Sequence, residues 1–277
     1  MALRDLLKGK LTKKQLRHVP SSFDIIGNRE KAVAIIEVPK ELRQKARAIA
    51  AALMKQHKNV KSVLEKASER KGIYRLRKMK IIAGSRNTEV VHNEAGCRFL
   101  LDPRKVYFSP REGTERLRMA GQVKEKETVM VFFAGAGTFP VIIGKRARPS
   151  KVIGIEINPD ACRYFWKDIK LNKLENIQIV LGDVKEKSSR FAGTCDRVMM
   201  PLPEKGQNYL GEALTCLKKR GFVHLYAFAN EDEIKDFSKS VIGTVKKTRK
   251  QSKIISINKV LPYGPGIWKY RIDIRVS

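Results

Sequence analysis

The chain has 277 residues, 42% of them hydrophobic, which suits one large or two modest domains with real cores and argues against wholesale disorder. No apolar run reaches the roughly 18–20 residues of a membrane span. The start, MALRDLLKGKLTKKQ, is basic and amphipathic but lacks the long apolar centre of a signal peptide. The formal charge is +30, which points to a polyanionic partner, nucleic acid ahead of an acidic membrane surface. Residues 1–100 carry 24 basic and 9 acidic side chains, residues 101–277 carry 34 and 19, so the first hundred are the denser anion-facing part.

In chain order, Phe23–Ile26 and Ala32–Val38 read as short strands joined at Gly27–Asn28. Pro39 opens a helix with Leu42, Ala46, Ile49, Ala50 and Leu53 on one stripe and Lys40, Arg43, Lys45 and Arg47 on its wet side. GIYRLRKMKIIAG alternates and reads as a strand bearing a run of cations; Glu89–Asp102 reads as a hairpin turning at Ala95–Gly96. KVYFSPREGTERLRMAGQV predicts a helix with Thr114 as N-cap. From Glu127 the pattern becomes strand, turn, helix, repeated: ETVMVFF, KVIGIEI, IQIVLGD, CDRVMMPLP and FVHLYAFA are apolar strands. NPDACRYFWKDIKLNK is a helix capped by Asn158 with Pro159 at its first position, and NYLGEALTCLKKRG a helix ending at Gly221. Two alternating strands joined by PYGPG close the chain.

Alternating apolar strands and helices imply a parallel, doubly wound sheet. The expected architecture is α/β, a Rossmann-like doubly wound sheet over residues 101–277, preceded by a smaller basic α+β domain over residues 1–100; with its C-terminal antiparallel hairpin the sheet resembles that of class I methyltransferases. Cys97, Cys162, Cys195 and Cys216 show no CxxC spacing and the four histidines no HxxxH or HxH cluster, so reduced thiols in a cytosolic protein are expected, without a metal site.

In such a sheet ligands bind at the carboxyl ends of the strands, where four pieces of sequence gather. Gly135 and Gly137, in FAGAGTF, permit a sharp turn and close approach to a ligand. Pro140 replaces the third glycine of GxGxxG, which argues against a dinucleotide pyrophosphate. Glu156 ends the next strand, where a carboxylate accepts from both ribose hydroxyls. Asp183 ends the third, able to accept from an adenine amino group, and Pro201, Leu202 and Pro203 form a rigid lip after the fourth. Together these point to S-adenosylmethionine. Singly, each also reads as ordinary structure: a tight turn, or an exposed acid at a strand end.

The runs HNEAGCRFLLDPRKVYFSPREGTERLR, VFFAGAGTFP, IGIEINPDA, IKLNKLENI, LGDVKE and VMMPLPE resemble the archaeal and eukaryotic tRNA (guanine-N1)-methyltransferases acting at position 37, with similarity from Ser21 to the C-terminal PYGPGIWKYRIDIRV. The resemblance implies a general base at Glu115 and an arginine facing the nucleobase at Arg75. It implies donor contacts from Phe133, Ala134, Gly135, Gly137, Glu156, Asn158 and Asp183, and substrate contacts from Tyr107, Arg111, Arg116, Pro201, Leu202 and Pro203. It implies the anticodon stem-loop of tRNA as partner, with no membrane and no obligate protein partner. On residue type alone, Glu115 reads as well as a first-turn acid favoured by the helix dipole, and Arg75 as a phosphate-binding cation. Three departures stand out: the family often has Asn at the position of Pro201 and an acid at that of Val131, and the resemblance leads us to expect that this chain is without the extra N-terminal domain of the fullest members. Three alternatives follow: aminocarboxypropyl transfer during wyosine synthesis, methylation of a tricyclic wyosine intermediate, and a basic RNA-binding module without catalysis.

Overall fold

A computed structural model describes residues 3–68, 72–248 and 250–277, so Met1 and Ala2 of the basic start lie outside the described residues. The chain forms two compact units, Met1–Pro110 and Arg111–Ser277. The first has strands β1 (Asp24–Gly27), β2 (Ala32–Ile36), β3 (Val60–Lys66) and β4 (Met79–Gly84) in the order β1-β2-β3-β4. β2 and β3 are parallel; both outer pairs are antiparallel. Every residue of β2 is buried, as expected of a central strand covered on both faces. The Ala46–Gln56 helix turns Ala46, Ile49, Ala50 and Leu53 into the core with Leu42, which stands on the 3₁₀ turn Lys40–Lys45 before it. A separate hairpin pairs β5 (Val90–Glu94) with β6 (Cys97–Leu101).

One expectation here is corrected. Only Met79–Gly84 of the GIYRLRKMKIIAG run is strand. Gly72 at φ 72° and Arg75 at φ 51° bend the chain into a turn, and Ile73 is 70% exposed. Arg75 therefore stands on a turn and not on a cationic strand.

The second unit is a seven-stranded sheet. Its strands are β7 (Thr128–Phe132), β8 (Lys151–Glu156), β9 (Ile177–Leu181), β10 (Cys195–Met200), β11 (Leu217–Ala229), β12 (Ser252–Gly264) and β13 (Ile267–Val276), in the order β12-β13-β11-β10-β7-β8-β9. The five strands β9-β8-β7-β10-β11 are parallel, and β13 and β12 add antiparallel at one edge. Chain order reverses between β7 and β10, the topological switch point where a ligand crevice is expected. Asn158 caps the Pro159–Leu171 helix by accepting from the Asp160 N–H, with Pro159 at its start.

Two boundaries differ from expectation. The Pro110–Glu112 3₁₀ turn runs straight into the Gly113–Gln122 helix, so Glu112 takes the cap position and Thr114 lies inside. The Leu210–Cys216 helix passes directly into β11, which places Gly221 inside a strand opposite Val276. A Cβ at Gly221 would come within 2.7 Å of the Asp196 carbonyl oxygen, so glycine there serves close strand packing and not a helix stop. The Glu233–Lys247 helix was not foreseen. Among the described residues no helix is long and apolar enough to cross a membrane, and no group of His, Cys, Asp and Glu is arranged to hold a metal. All four cysteines are free and buried. Burial pushes the Cys162 and Cys216 thiols up to about 12, which makes them inert.

Candidate active site

At the carboxyl end of β7, Phe133 takes φ 55°, a conformation that costs a non-glycine residue roughly 1–2 kcal/mol. Such strain marks a turn held by its surroundings. The Ala134 N–H donates to the Ile155 carbonyl (3.0 Å), which fastens the loop to β8. Gly135 follows at φ 58°, and a Cβ built on it meets nothing within 4 Å, so the space before it is open. Gly137, at φ 77°, is different. A Cβ there would fall 1.9 Å from the Phe165 ring, which also lies 2.6 Å from a Cβ built on Gly154. Gly137 thus lets the loop seat against the Pro159–Leu171 helix.

Glu156 ends β8 beside this open space and is 8% exposed. Its Oε2 accepts from the Gly135 N–H (2.7 Å) and its Oε1 from the Asn158 N–H (2.8 Å). Burial raises its pKa, against the backbone N–H groups of Asn158, Gly135 and Ile157 that favour the charged form. A carboxylate has about four acceptor sites, so beside its three backbone N–H partners Glu156 retains capacity to accept from a ligand hydroxyl. Asp183 follows β9, where Oδ1 accepts from the Lys185 N–H (2.8 Å) and Oδ2 makes no hydrogen bond among the described residues. Tyr209 joins this group: its ring lies 4.9 Å from Phe133, edge to face, and the charge of Asp183 adds to burial in raising its pKa. Pro201, Leu202 and Pro203 follow β10 and are half-buried. Val131 is fully buried within β7.

Glu115, on the Gly113–Gln122 helix, is 3% exposed. Its Oε1 accepts from the Tyr226 hydroxyl (2.7 Å) and from Arg271 (2.5 Å); its Oε2 accepts from Arg118 (3.3 Å). Burial and then the Glu115 charge push the Tyr226 phenol far up, so it stays a donor. Arg271 also grips Asp273 through Nε (2.8 Å) and a terminal nitrogen (3.0 Å). Asp273 receives His224 Nδ1 at 2.6 Å, and Arg197 approaches His224 Nε2 at 2.6 Å while holding Glu127. Arg197 has only donors, so Nε2 is the acceptor and His224 is neutral. Burial first, and then the charges of Arg197 and Arg271, keep the His224 pKa low against the pull of Asp273. Burial alone would raise the Asp273 carboxyl; the hydrogen bonds from His224 and Arg271 outweigh it and hold it far below the usual carboxylate range.

Register explains this assembly. His224 stands opposite Asp273 and Tyr226 opposite Arg271 across β11 and β13. Ser256 and Asn258 on β12 stand opposite the same two residues of β13. Tyr226, His224, Arg271 and Asp273 were missed by sequence reasoning; the available signal was the alternation of charged with apolar residues in RIDIRV.

The other expected residues divide between the units. In the first, Arg75 and Tyr107 line one cavity of about 80 Å³ with Asp24, Lys66 and Phe108. In the second, Arg111 is exposed and Arg116 is buried at 2%. A larger cavity of about 460 Å³ lies by Glu127, Asp196 and Gly221 at the amino ends of the parallel strands, the wrong end for a ligand of this fold.

Residues 90–257 match the family described as TRM5/TYW2 methyltransferase domain, and residues 3–88 the one described as TYW2 N-terminal domain. Trm5b of Pyrococcus abyssi, a tRNA (guanine(37)-N(1))-methyltransferase, is 38% identical over 94% of this chain and 76% of its own. Its crystal structure superposes with a TM-score of 0.85 over 96% of this chain and 78% of that one. Taw22 of Nanoarchaeum equitans, a tRNA (guanine(37)-N(1))/4-demethylwyosine(37)-methyltransferase, is 30% identical over 92% of this chain and 99% of its own. TYW2 of Pyrococcus horikoshii in complex with MeSAdo is 25% identical, with a TM-score of 0.83 over 99% of this chain and 97% of that one.

Proposed function

Because this chain belongs to the TRM5/TYW2 methyltransferase family, we propose that it transfers the methyl group of S-adenosylmethionine to N1 of guanosine 37 in tRNA, beside the anticodon. The observation that carries the donor half is the Glu156 carboxylate, tethered by Gly135 and Asn158 with acceptor capacity left, beside the open space at Gly135. Glu156 would hold the ribose hydroxyls and Asp183 the adenine amino group, with Phe133 and Tyr209 as aromatic walls. When bound, the donor supplies an electrophilic methyl on a sulfonium.

Guanine N1 carries a proton at neutral pH, and Glu115 takes it as the new N–C bond forms. Negative charge moves toward O6, where Arg75 stabilises it. N1 lies on the pairing edge, so the nucleobase must be out of its stack. The basic first unit supplies phosphate contacts for the anticodon stem-loop.

Incubation with labelled donor and unmodified tRNA, digestion and mass analysis test the reading. Guanosine heavier by one methyl at position 37 is expected; no nucleoside product would refute it. Glu156→Ala should abolish the heat of donor binding in calorimetry, whereas unchanged heat would remove Glu156 from the donor site. A second reading, action on a tricyclic wyosine intermediate, is favoured by Pro201 and by the TYW2-type match of residues 3–88. A methylated tricycle, or a heavier aminocarboxypropyl adduct, is its signature in the same assay with wyosine-precursor tRNA.

A further inference from the structure

Glu115 presents two unlike oxygens. Oε1 is filled by the Tyr226 hydroxyl and the Arg271 guanidinium, both buried, whereas Oε2 has, among the described residues, only the long contact from the half-exposed Arg118. A carboxylate fixed at one oxygen by two donors cannot rotate freely and leaves its other oxygen as the proton acceptor. Arg271 is itself immobilised by the bidentate grip on Asp273, and Asp273 by His224, Ser256 and Asn258. Arg197 and Glu127 extend the buried chain across β10 to the start of β7.

We propose that Arg271 and Tyr226 are positioning residues for Glu115, fixing Oε1 so that Oε2 receives the proton of the substrate nucleobase. This inference rests on the general-base reading of Glu115 given above. Two bonds break: N1–H, whose electron pair forms the bond to the methyl carbon while the proton ends on Oε2, and the donor's methyl–sulfur bond, whose electron pair stays on sulfur so that the sulfonium leaves as a neutral thioether. Neither positioning residue exchanges a proton.

Among the described residues, the charged and titratable groups facing Glu115 are few. Arg118 comes from its own helix, Tyr226 from β11 and Arg271 from β13, with Lys269 behind, over the Tyr226 ring and paired to Glu112. The Thr138–Arg146 helix brings Phe139 to Tyr226 and carries its cations, Lys145 and Arg146, in its last turn. Two donors hold Oε1, and a carboxylate's hydrogen-bond donors support its role as proton acceptor, so loss of either is expected to move the acidic limb of the rate profile to higher pH.

The test is a single-turnover pH–rate profile with saturating donor and tRNA for wild type, Glu115→Gln, Tyr226→Phe and Arg271→Gln. In Tyr226→Phe the acidic limb should move to higher pH and turnover near neutrality fall about threefold or more, and in Arg271→Gln about tenfold or more, with donor affinity by calorimetry unchanged within about twofold. Tyr226→Phe keeps the buried ion pairs and decides the matter if Arg271→Gln does not fold. A purely structural role would lower the melting temperature without moving the limb, and an unmoved limb in folded Tyr226→Phe overturns the proposal while a dead Glu115→Gln still upholds the general base. Wild-type turnover by Glu115→Gln sinks both.

Discussion

Two glycines set two residues apart in one loop serve different ends. Gly135 faces open space and Gly137 faces the Phe165 ring. Gly137→Ala should destabilise the protein by more than about 2 kcal/mol, since a left-handed alanine costs roughly 1–2 kcal/mol and overpacking typically 1–3. Gly135→Ala should lower the melting temperature by only a few degrees and weaken donor binding, because its methyl enters the open space. Paired thermal melts and donor titrations check this; equal melting losses with equal donor affinities would contradict the division of roles. The glycine pair was visible in FAGAGTF, but the distinction was not, because it depends on a phenylalanine placed by the next helix. The positions of Glu156 at the end of β8 and of Asp183 just after β9 were readable from the sequence. The clamp on Glu115 was not, since Arg271 lies 156 residues away and meets it only through strand register.

At the scale of elements, β11 and β13 form one continuous antiparallel pair with apolar side chains on one face and the His224–Asp273 and Tyr226–Arg271 pairs on the other. This arrangement makes stability depend on acid. His224 is held neutral, with its folded pKa below its unfolded value near 6.5. Below that pH the unfolded chain binds a proton that the folded protein refuses, so stability falls as pH drops from about 6.5. Asp273, whose folded pKa is depressed, contributes stability that is present above about 4 and lost as pH falls further. Denaturant melts across pH 7 to 4 should show this decline, and a flat profile would contradict neutral His224. His224→Asn should remove the part of the slope nearest pH 6. The strands of the second unit were legible from their apolar runs and the Pro159–Leu171 helix from its cap. The Glu233–Lys247 helix buries Ile234, Ser238, Val241 and Val245 at helical spacing, but its polar sequence hides so thin a stripe. The GIYRLR run looked like a strand because alternation cannot reveal a positive φ.

At the scale of the whole molecule, a net charge of +30 predicts binding governed by counterion release. Lys40, Arg43 and Arg47 stand exposed around the Lys40–Lys45 turn and the Ala46–Gln56 helix. Changing all three to alanine should weaken tRNA binding and flatten its dependence on salt, by up to roughly 0.9 in the log–log slope for each lost phosphate contact. An unchanged slope would place the RNA elsewhere. The spread of Glu115 and Arg271 along the chain has a temporal consequence. During translation the carboxylate emerges long before its guanidinium, and a nascent chain that has built the parallel strands still lacks the final hairpin. Contacts so distant in sequence form late and slowly. If the proposed roles hold, the donor site at Gly135 would be assembled before Glu115 is aimed, and a refolding enzyme should regain its grip on the donor ahead of its turnover.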